Sequence, residues 1–99
     1  MKQSALLKAK EISRVLKKYP DWSVTSNKTQ FYRTFTFPKH IDALVFIARI
    51  TVHAEVLQHH PEVIYSYSKV KVKLTTHDVK GLTKLDVLLL ERIEKLCSA

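Results

Sequence analysis

Glycine and cysteine are almost absent from this sequence of 99 residues. It contains one glycine, Gly81, one cysteine, Cys97, and three prolines. A single glycine excludes the glycine-rich loops with which P-loop and Rossmann proteins hold phosphate groups. A single cysteine excludes an internal disulfide, and Cys97 lies near the C-terminus, away from the other polar motifs. The shortage of glycine and proline also excludes a linker-rich or low-complexity chain.

Long apolar runs are absent as well. No segment approaches the roughly 20 apolar residues that a membrane-spanning helix needs. Segment 1–18 mixes charged with apolar side chains throughout, so it does not match a secretory signal, whose apolar core is unbroken. We therefore expect a cytoplasmic protein with no membrane partner, small enough to reach the nucleus too.

Acidic residues are few compared with basic ones. There are 9 Asp and Glu against 17 Lys and Arg, which gives a net charge of +8 with neutral histidines. Such a charge attracts anionic ligands and polyanions. The basic residues are spread along the chain, however, with their densest groups in 8–18 and at 69–73. A solvated basic surface is therefore favoured over direct nucleic-acid binding, since no nucleic-acid recognition motif is present.

Apolar residues that recur every three or four positions predict three helices. The first covers 4–18, with Ser4 as its N-cap. The second covers 40–60 and ends before Pro61, which disfavours helical geometry at the residue before it. The third begins at Thr83, with Asp86 as its capping-box partner.

Residues of alternating polarity predict four strands between these helices. Two of them cover 22–26 and 29–37, and the segment 63–76 divides near Tyr67 into two more. The order is helix, strand, strand, helix, strand, strand, helix (α-β-β-α-β-β-α). It predicts a single domain over 1–99 of the α+β class, a two-layer sandwich in which a four-stranded antiparallel sheet carries its helices on one face.

Histidines cluster at the end of the second predicted helix. The motif "EVLQHHP" places His59 and His60 side by side, and Glu55 lies four residues before His59, on the same helical face. The motif "TTHD" places His77 directly after a strand. A polar helix end, favoured by the helix macrodipole, would also account for the first pair. His40 and His53 have no polar partner in the sequence, and we interpret them as surface or packing residues.

The types and spacing of these residues favour acid–base chemistry. Adjacent histidines diverge and rarely bind one metal ion, and neither a helical His pair four residues apart nor a nearby cysteine is present. No serine or cysteine lies in a nucleophile motif. The histidine side chain has an ordinary pKa of roughly 6.5 and exchanges protons near neutrality. Several imidazoles together suit a reaction that removes one proton and supplies another, such as loss of water.

An ordered string of residues resembles the signature of the pterin-4a-carbinolamine dehydratases, and the similarity covers most of the chain from Trp22 onward. The string consists of Glu55, His59, His60, Pro61, Tyr67, His77 and Asp86. The resemblance implies the two-layer fold. It also implies dehydration of 4a-hydroxytetrahydrobiopterin to quinonoid dihydropterin, which recycles the tetrahydrobiopterin cofactor of aromatic amino-acid hydroxylases. Further implications are a pterin substrate, no metal or other cofactor, a hydroxylase as pathway partner, and a homodimer or homotetramer.

The resemblance also assigns roles to residues. It places His59, His60 and His77 in the pocket, where one imidazole protonates the departing 4a-hydroxyl and another accepts the N5 proton. His59 and His77 are favoured for these roles, either one as the acid, while His60 contacts substrate. The flanking residues expected to contact the pterin are Gln58, Thr75, Thr76 and Asp78. Glu55 and Asp86 are expected to orient the imidazoles, although Asp86 is equally well explained as a helix cap alone.

The sequence departs from the family pattern at two positions. Val63 stands where many relatives carry an aromatic residue, and Leu85, next to Lys84, stands where some carry arginine. These changes bear on substrate affinity or pocket shape. The resemblance also implies a second role, because some family members act in addition as dimerisation cofactors for a homeodomain transcription factor. An alternative function is therefore a protein-interaction module with little or no dehydratase activity. The wide apolar face of the second helix suits self-association.

Overall fold

A computed structural model of the protein describes residues 5–98. Its helices are α1 (Ala9–Lys18), α2 (His40–Leu57) and α3 (Lys84–Ser98). Its strands are β1 (Ser23–Val24), β2 (Phe31–Thr36), β3 (Glu62–Ser66) and β4 (Lys69–Leu74). A short 3-10 helix, His77–Val79, lies between β4 and α3. The predicted order of helices and strands is confirmed.

The four strands form one antiparallel sheet in the order β1-β2-β4-β3. Phe31 lies opposite Leu74, and Phe35 lies opposite Val70. Because successive side chains of a strand point to opposite faces, these residues share one face and are buried. Lysines 69, 71 and 73 alternate with the buried residues of β4 and lie on the other face.

The helices cover the buried face of the sheet, which confirms the predicted two-layer α+β sandwich. The helical residues of the core are Ile12, Ala43, Phe46, Ile50, Leu89, Leu90 and Ile93. Arg33 shares the buried face of β2 and is neutralised there, because its guanidinium hydrogen-bonds the Glu94 carboxylate. Trp22 Nε1–H donates to that carboxylate at 2.7 Å. No helix in the described part of the chain is long and apolar enough to span a membrane.

Several element boundaries differ from the prediction by one to five residues, among them the end of α2, which is Leu57 instead of residue 60. The structure explains two of the other differences. Helix α1 begins at Ala9 instead of residue 4, because Leu7 N–H donates to the Leu82 carbonyl at 2.8 Å and holds the preceding segment extended. The predicted cap, Ser4, lies outside the described residues. Strand β1 ends at Val24, since the hydroxyl of Thr25 accepts the backbone N–H groups of Thr29 and Gln30 and begins the turn.

Candidate functional site

Helix α2 ends between Glu55 and the two adjacent histidines, and the chain changes direction there at Gln58. Gln58 adopts the left-handed conformation, with φ 51° and ψ 42°. Its side-chain amide donates to the Glu55 carbonyl at 2.8 Å, and His59 N–H donates to the Ala54 carbonyl at 3.0 Å. These bonds satisfy carbonyl groups that a helix end leaves open. After the reversal, His59 is buried and His60 is exposed.

His59 belongs to a buried polar network. Its Nε2 atom lies 2.6 Å from Asp86 Oδ1, and Asp86 is fully buried. Asp86 Oδ2 accepts the hydroxyl of Thr76 at 2.8 Å and the backbone N–H of Thr83 at 2.9 Å. The hydroxyls of Thr76 and Thr83 are 2.8 Å apart. Helix α2, the end of β4 and the start of α3 are thus joined through one carboxylate.

A short loop after β4 carries His77 and Asp78. Thr76 N–H donates to the Gly81 carbonyl at 2.8 Å and closes the loop over residues 77–80. Lys80 completes the turn with a left-handed backbone, φ 53°. The only glycine follows, at a position where a Cβ atom would lie 2.7 Å from Leu6 Cδ2. The closed loop leaves His77 and Asp78 exposed beside the buried Thr76.

A second carboxylate–imidazole pair lies on the surface. His60 Nε2 hydrogen-bonds Glu55 Oε2, and their side chains are 55% and 62% exposed. The predicted pairing of Glu55 with His59 is therefore wrong. The helical spacing of four residues does not extend past Leu57, because the left-handed Gln58 turns His59 inward and brings His60 to Glu55.

The remaining predicted site residues fall into two groups. The side chains of Gln58, Thr75 and Thr76 each donate a hydrogen bond to another group of the protein. Thr75, for example, donates to the Thr29 carbonyl at 2.7 Å. His77 and Asp78 are exposed, and their side chains make no hydrogen bond or ion pair within residues 5–98.

Asp86 is both a helix cap and the partner of His59, so the two explanations of this residue hold together. Its carboxylate accepts the Thr83 backbone N–H as well as contacting the imidazole. Thr83 was predicted only to begin the last helix. The capping-box spacing from Thr83 to Asp86 was the signal that could have placed it in the site.

The histidines outside this cluster serve other contacts. The His40 ring packs at a tilt against the Tyr67 ring, with 5.3 Å between ring centroids. Arg92 Nη1 donates to His53 Nδ1 at 3.2 Å. In the described part of the chain, no group of three His, Cys, Asp or Glu side chains could hold a metal ion.

One cavity of the protein lies away from the histidine cluster. It has a volume of about 460 Å³ between β2, the first half of α2 and the end of α3. Its lining residues include Arg33, Phe46, Arg49 and Cys97. Burial raises the pKa of the Cys97 thiol above its ordinary value, against the opposing effect of the Arg33 guanidinium. This cavity contains none of the predicted catalytic residues.

Comparison with known proteins identifies the family. The profile of the family described as "Pterin 4 alpha carbinolamine dehydratase" matches residues 5–96. The chain belongs to this family. A relative from Picosynechococcus sp., provisionally named a pterin-4-alpha-carbinolamine dehydratase, is 45% identical over 77% of this chain and 80% of its own length. A relative of the same name from Sulfurisphaera tokodaii is 40% identical over 91% of this chain and 95% of its own.

Two solved structures share the fold. The crystal structure of a transcriptional coactivator/pterin dehydratase from Brucella melitensis has a TM-score of 0.87 and 30% identity. The similarity covers 92% of this chain and 97% of that one. A pterin dehydratase-like protein described as a RuBisCO assembly factor of the alpha-carboxysome has a TM-score of 0.65 at 14% identity. This second likeness bears on the fold alone.

Proposed function

We propose that this protein is a 4a-hydroxytetrahydrobiopterin dehydratase, a hydro-lyase that uses histidine acid–base catalysis without a metal or other cofactor. Family membership supports the reaction class. The observation that carries the proposal for this chain is the contact between His59 and the buried Asp86, which resembles the imidazole–carboxylate pairs that orient a catalytic histidine. His60 follows His59 in the chain, and His77 follows Thr76, whose hydroxyl donates to the same carboxylate.

The reaction needs a proton donor and a proton acceptor. The C4a–O bond breaks as the 4a-hydroxyl takes up a proton and leaves as water, and N5 loses its proton as the N5–C4a double bond forms. His59 and His77 exchange these protons in our proposal, while His60 and the exposed Asp78 contact the pterin. Gln58 contacts the pterin in this proposal through its amide oxygen or its second amide proton, since one proton is engaged with the Glu55 carbonyl. Thr75 contributes its hydroxyl oxygen, because its proton goes to the Thr29 carbonyl, and Thr76 acts on the site through Asp86.

In this proposal, the quinonoid product is reduced to tetrahydrobiopterin in the cytoplasm. An aromatic amino-acid hydroxylase then uses the tetrahydrobiopterin there. The test is the decay of freshly generated 4a-carbinolamine, followed spectroscopically with and without the protein. His59→Ala and His77→Ala should slow the catalysed decay, because each removes a proton-exchanging group. His53→Ala is the matched control, since its ring contacts Arg92 instead. Equal decay with and without the unmodified protein would exclude dehydratase activity.

A second candidate function is protein association, either of copies of this chain into a homodimer or homotetramer or with another protein. Helix α2 exposes an apolar stripe in addition to its buried face. Its members are Ile41, Leu44, Val45, Val52 and Val56, each between 44% and 62% exposed. An exposed stripe of this kind marks an interaction surface. Sedimentation velocity of Val52→Glu tests it, because a charge within a buried helix contact should shift the protein toward the monomer.

The association candidate can be separated from catalysis. Variants that lack the imidazoles of His59 and His77 should lose dehydratase activity yet keep the sedimentation coefficient of the unmodified protein. If Val52→Glu sediments like the unmodified protein, the α2 stripe is not the contact surface.

A further inference from the structure

The protons of the buried network can be assigned one by one. Thr83 backbone N–H is a donor only, and it points to Asp86 Oδ2. The single hydroxyl proton of Thr76 also points to Oδ2, so the hydroxyl of Thr83 must donate to Thr76 Oγ1. An ionised carboxylate only accepts hydrogen bonds. His59 Nε2 faces Asp86 Oδ1 at 2.6 Å. The proton between these two atoms lies on Nε2, because an imidazole is ordinarily a stronger base than a carboxylate.

We propose that the chain Thr83–Thr76–Asp86 fixes the tautomer of His59, with the proton on Nε2 and the free lone pair on Nδ1. Resting on the proposed function, the same arrangement makes Nδ1 the atom that accepts the N5 proton of the pterin. Thr76 is then a positioning residue that acts through Asp86.

The surroundings of Nδ1 agree with this assignment. His59 keeps 10% of its side chain exposed. In the described part of the chain, every buried side-chain nitrogen or oxygen has a hydrogen-bond partner. Nδ1 makes no hydrogen bond with residues 5–98, so solvent reaches this atom. Neutral His59 can therefore take up a proton from outside at Nδ1 only.

The buried carboxylate also gives the imidazoles of His59 and His77 different roles. Once Nδ1 has accepted a proton, Asp86 stabilises the resulting imidazolium, as the aspartate of a catalytic triad does. His59 is thereby suited to accept the N5 proton. The exposed His77, whose side chain has no carboxylate partner within residues 5–98, is left to protonate the 4a-hydroxyl.

Asp86→Asn tests the tautomer directly. Thr83 backbone N–H still donates, so the amide oxygen takes the place of Oδ2 and the amide NH₂ group faces His59. Nε2 must then accept, and the proton moves to Nδ1. Ring ¹⁵N NMR at about pH 8, above the roughly 6.5 at which an ordinary imidazole titrates, reads this out. We expect Nε2–H in the unmodified protein and Nδ1–H in the folded variant.

Two results from this experiment would overturn the proposal. One is a proton on Nδ1 in the unmodified protein, and the other is an unchanged tautomer in folded Asp86→Asn. Should that variant fail to fold, the NMR spectrum of the unmodified protein still shows the tautomer of His59. The Thr76 variants then test whether the hydrogen bonds from Thr83 through Thr76 to Asp86 hold that tautomer.

Thr76→Val removes one hydroxyl from the chain and keeps the shape of the side chain. The Nε2–H signal of His59 should lose its protection from exchange with water, because Asp86 loses a donor that orients it. We expect kcat to fall by about tenfold or more with little change in KM, as for a small misplacement of a reacting group. Thr76→Ser, which restores the hydroxyl, should recover both properties.

Thr75→Val is the matched control for the NMR signal. It removes the neighbouring hydroxyl, whose bond goes to the Thr29 carbonyl, and it should leave the His59 signal intact. An equal loss of protection in Thr75→Val, or none in Thr76→Val, would contradict the chain. The NMR experiments need no substrate. A protein with the expected tautomer but no dehydratase activity would refute only the proposed function.

Discussion

The two adjacent histidines each contact a carboxylate, but in opposite surroundings. His59 meets Asp86 inside the protein, where the carboxylate is fully buried and has two further donors. His60 meets Glu55 at the surface, where both side chains are more than half exposed. The residue types of the two pairs are nearly the same, so the difference in their surroundings decides what each pair can do.

Burial makes the His59–Asp86 pair stiff and costly to disturb. A buried carboxylate must have hydrogen-bond donors for both oxygens, because water cannot supply them. Asp86 meets this requirement with three elements of the fold, so its orientation is determined by the whole structure. Solvent competes for the His60–Glu55 pair and screens it, so this pair is free to rearrange when a ligand binds.

The largest expected effect follows removal of the buried carboxylate. Asp86→Ala leaves the donors of His59, Thr76 and Thr83 unpaired inside the protein. We expect the free energy of unfolding to fall by about 3–5 kcal/mol, the usual cost of breaking a buried pair, as measured by chemical denaturation. A loss below about 1 kcal/mol is typical of an exposed ion pair. It would contradict the stated difference between the buried His59–Asp86 pair and the exposed His60–Glu55 pair.

The next effect concerns catalysis. His59→Ala should lower kcat by about a hundredfold or more, the usual contribution of a positioned acid or base. His60→Ala should affect mainly KM, because His60 is expected to contact substrate. The decay assay for the carbinolamine measures both. If the two variants lose kcat equally, burial does not separate the roles of the pairs.

An intermediate effect is expected at Gln58, the residue between the two pairs. A β-branched side chain is disfavoured in the left-handed conformation that Gln58 adopts, so Gln58→Val should lower the free energy of unfolding by about 1–2 kcal/mol. Gln58→Gly, which accepts this conformation without strain, is the control and should keep the unfolding free energy or raise it. Equal stability of the two variants would show that the reversal does not depend on this backbone geometry.

The smallest effect is expected at the exposed pair. Glu55→Gln should change the free energy of unfolding by less than about 1 kcal/mol, and added salt should reduce the difference further. Denaturation at low and high salt measures it. A large change that persists in high salt would mean that this pair is shielded from solvent, as the buried pair is.

Much of the fold could be predicted because its signals are local. Alternating Val and Lys residues in 69–74 predicted a strand with one buried face, and the structure buries Val70 and Val72. The beginning of α1 was mispredicted, because a backbone hydrogen bond from Leu7 to the distant Leu82 determines it. No pattern within the first helix reports on that bond.

Three residues that the sequence named, His59, Thr76 and Asp86, are joined in one network, but the sequence did not predict the contacts of every named residue. Thr75 and Thr76 were both expected to contact substrate, and they follow β4 side by side but differ in their partners. Which partner each hydroxyl meets depends on other elements: Thr29 for Thr75 and Asp86 for Thr76.

By itself, the sequence determined the order of helices and strands, the two-layer α+β class and the presence of histidines at the end of a helix. These follow from periodicity and from Pro61, which act between neighbours along the chain. Only the tertiary structure decided that His59 pairs with Asp86, 27 residues away, while His60 stays at the surface beside Glu55. The physical reason is that burial is a property of packed elements, and burial decides which polar groups must find each other.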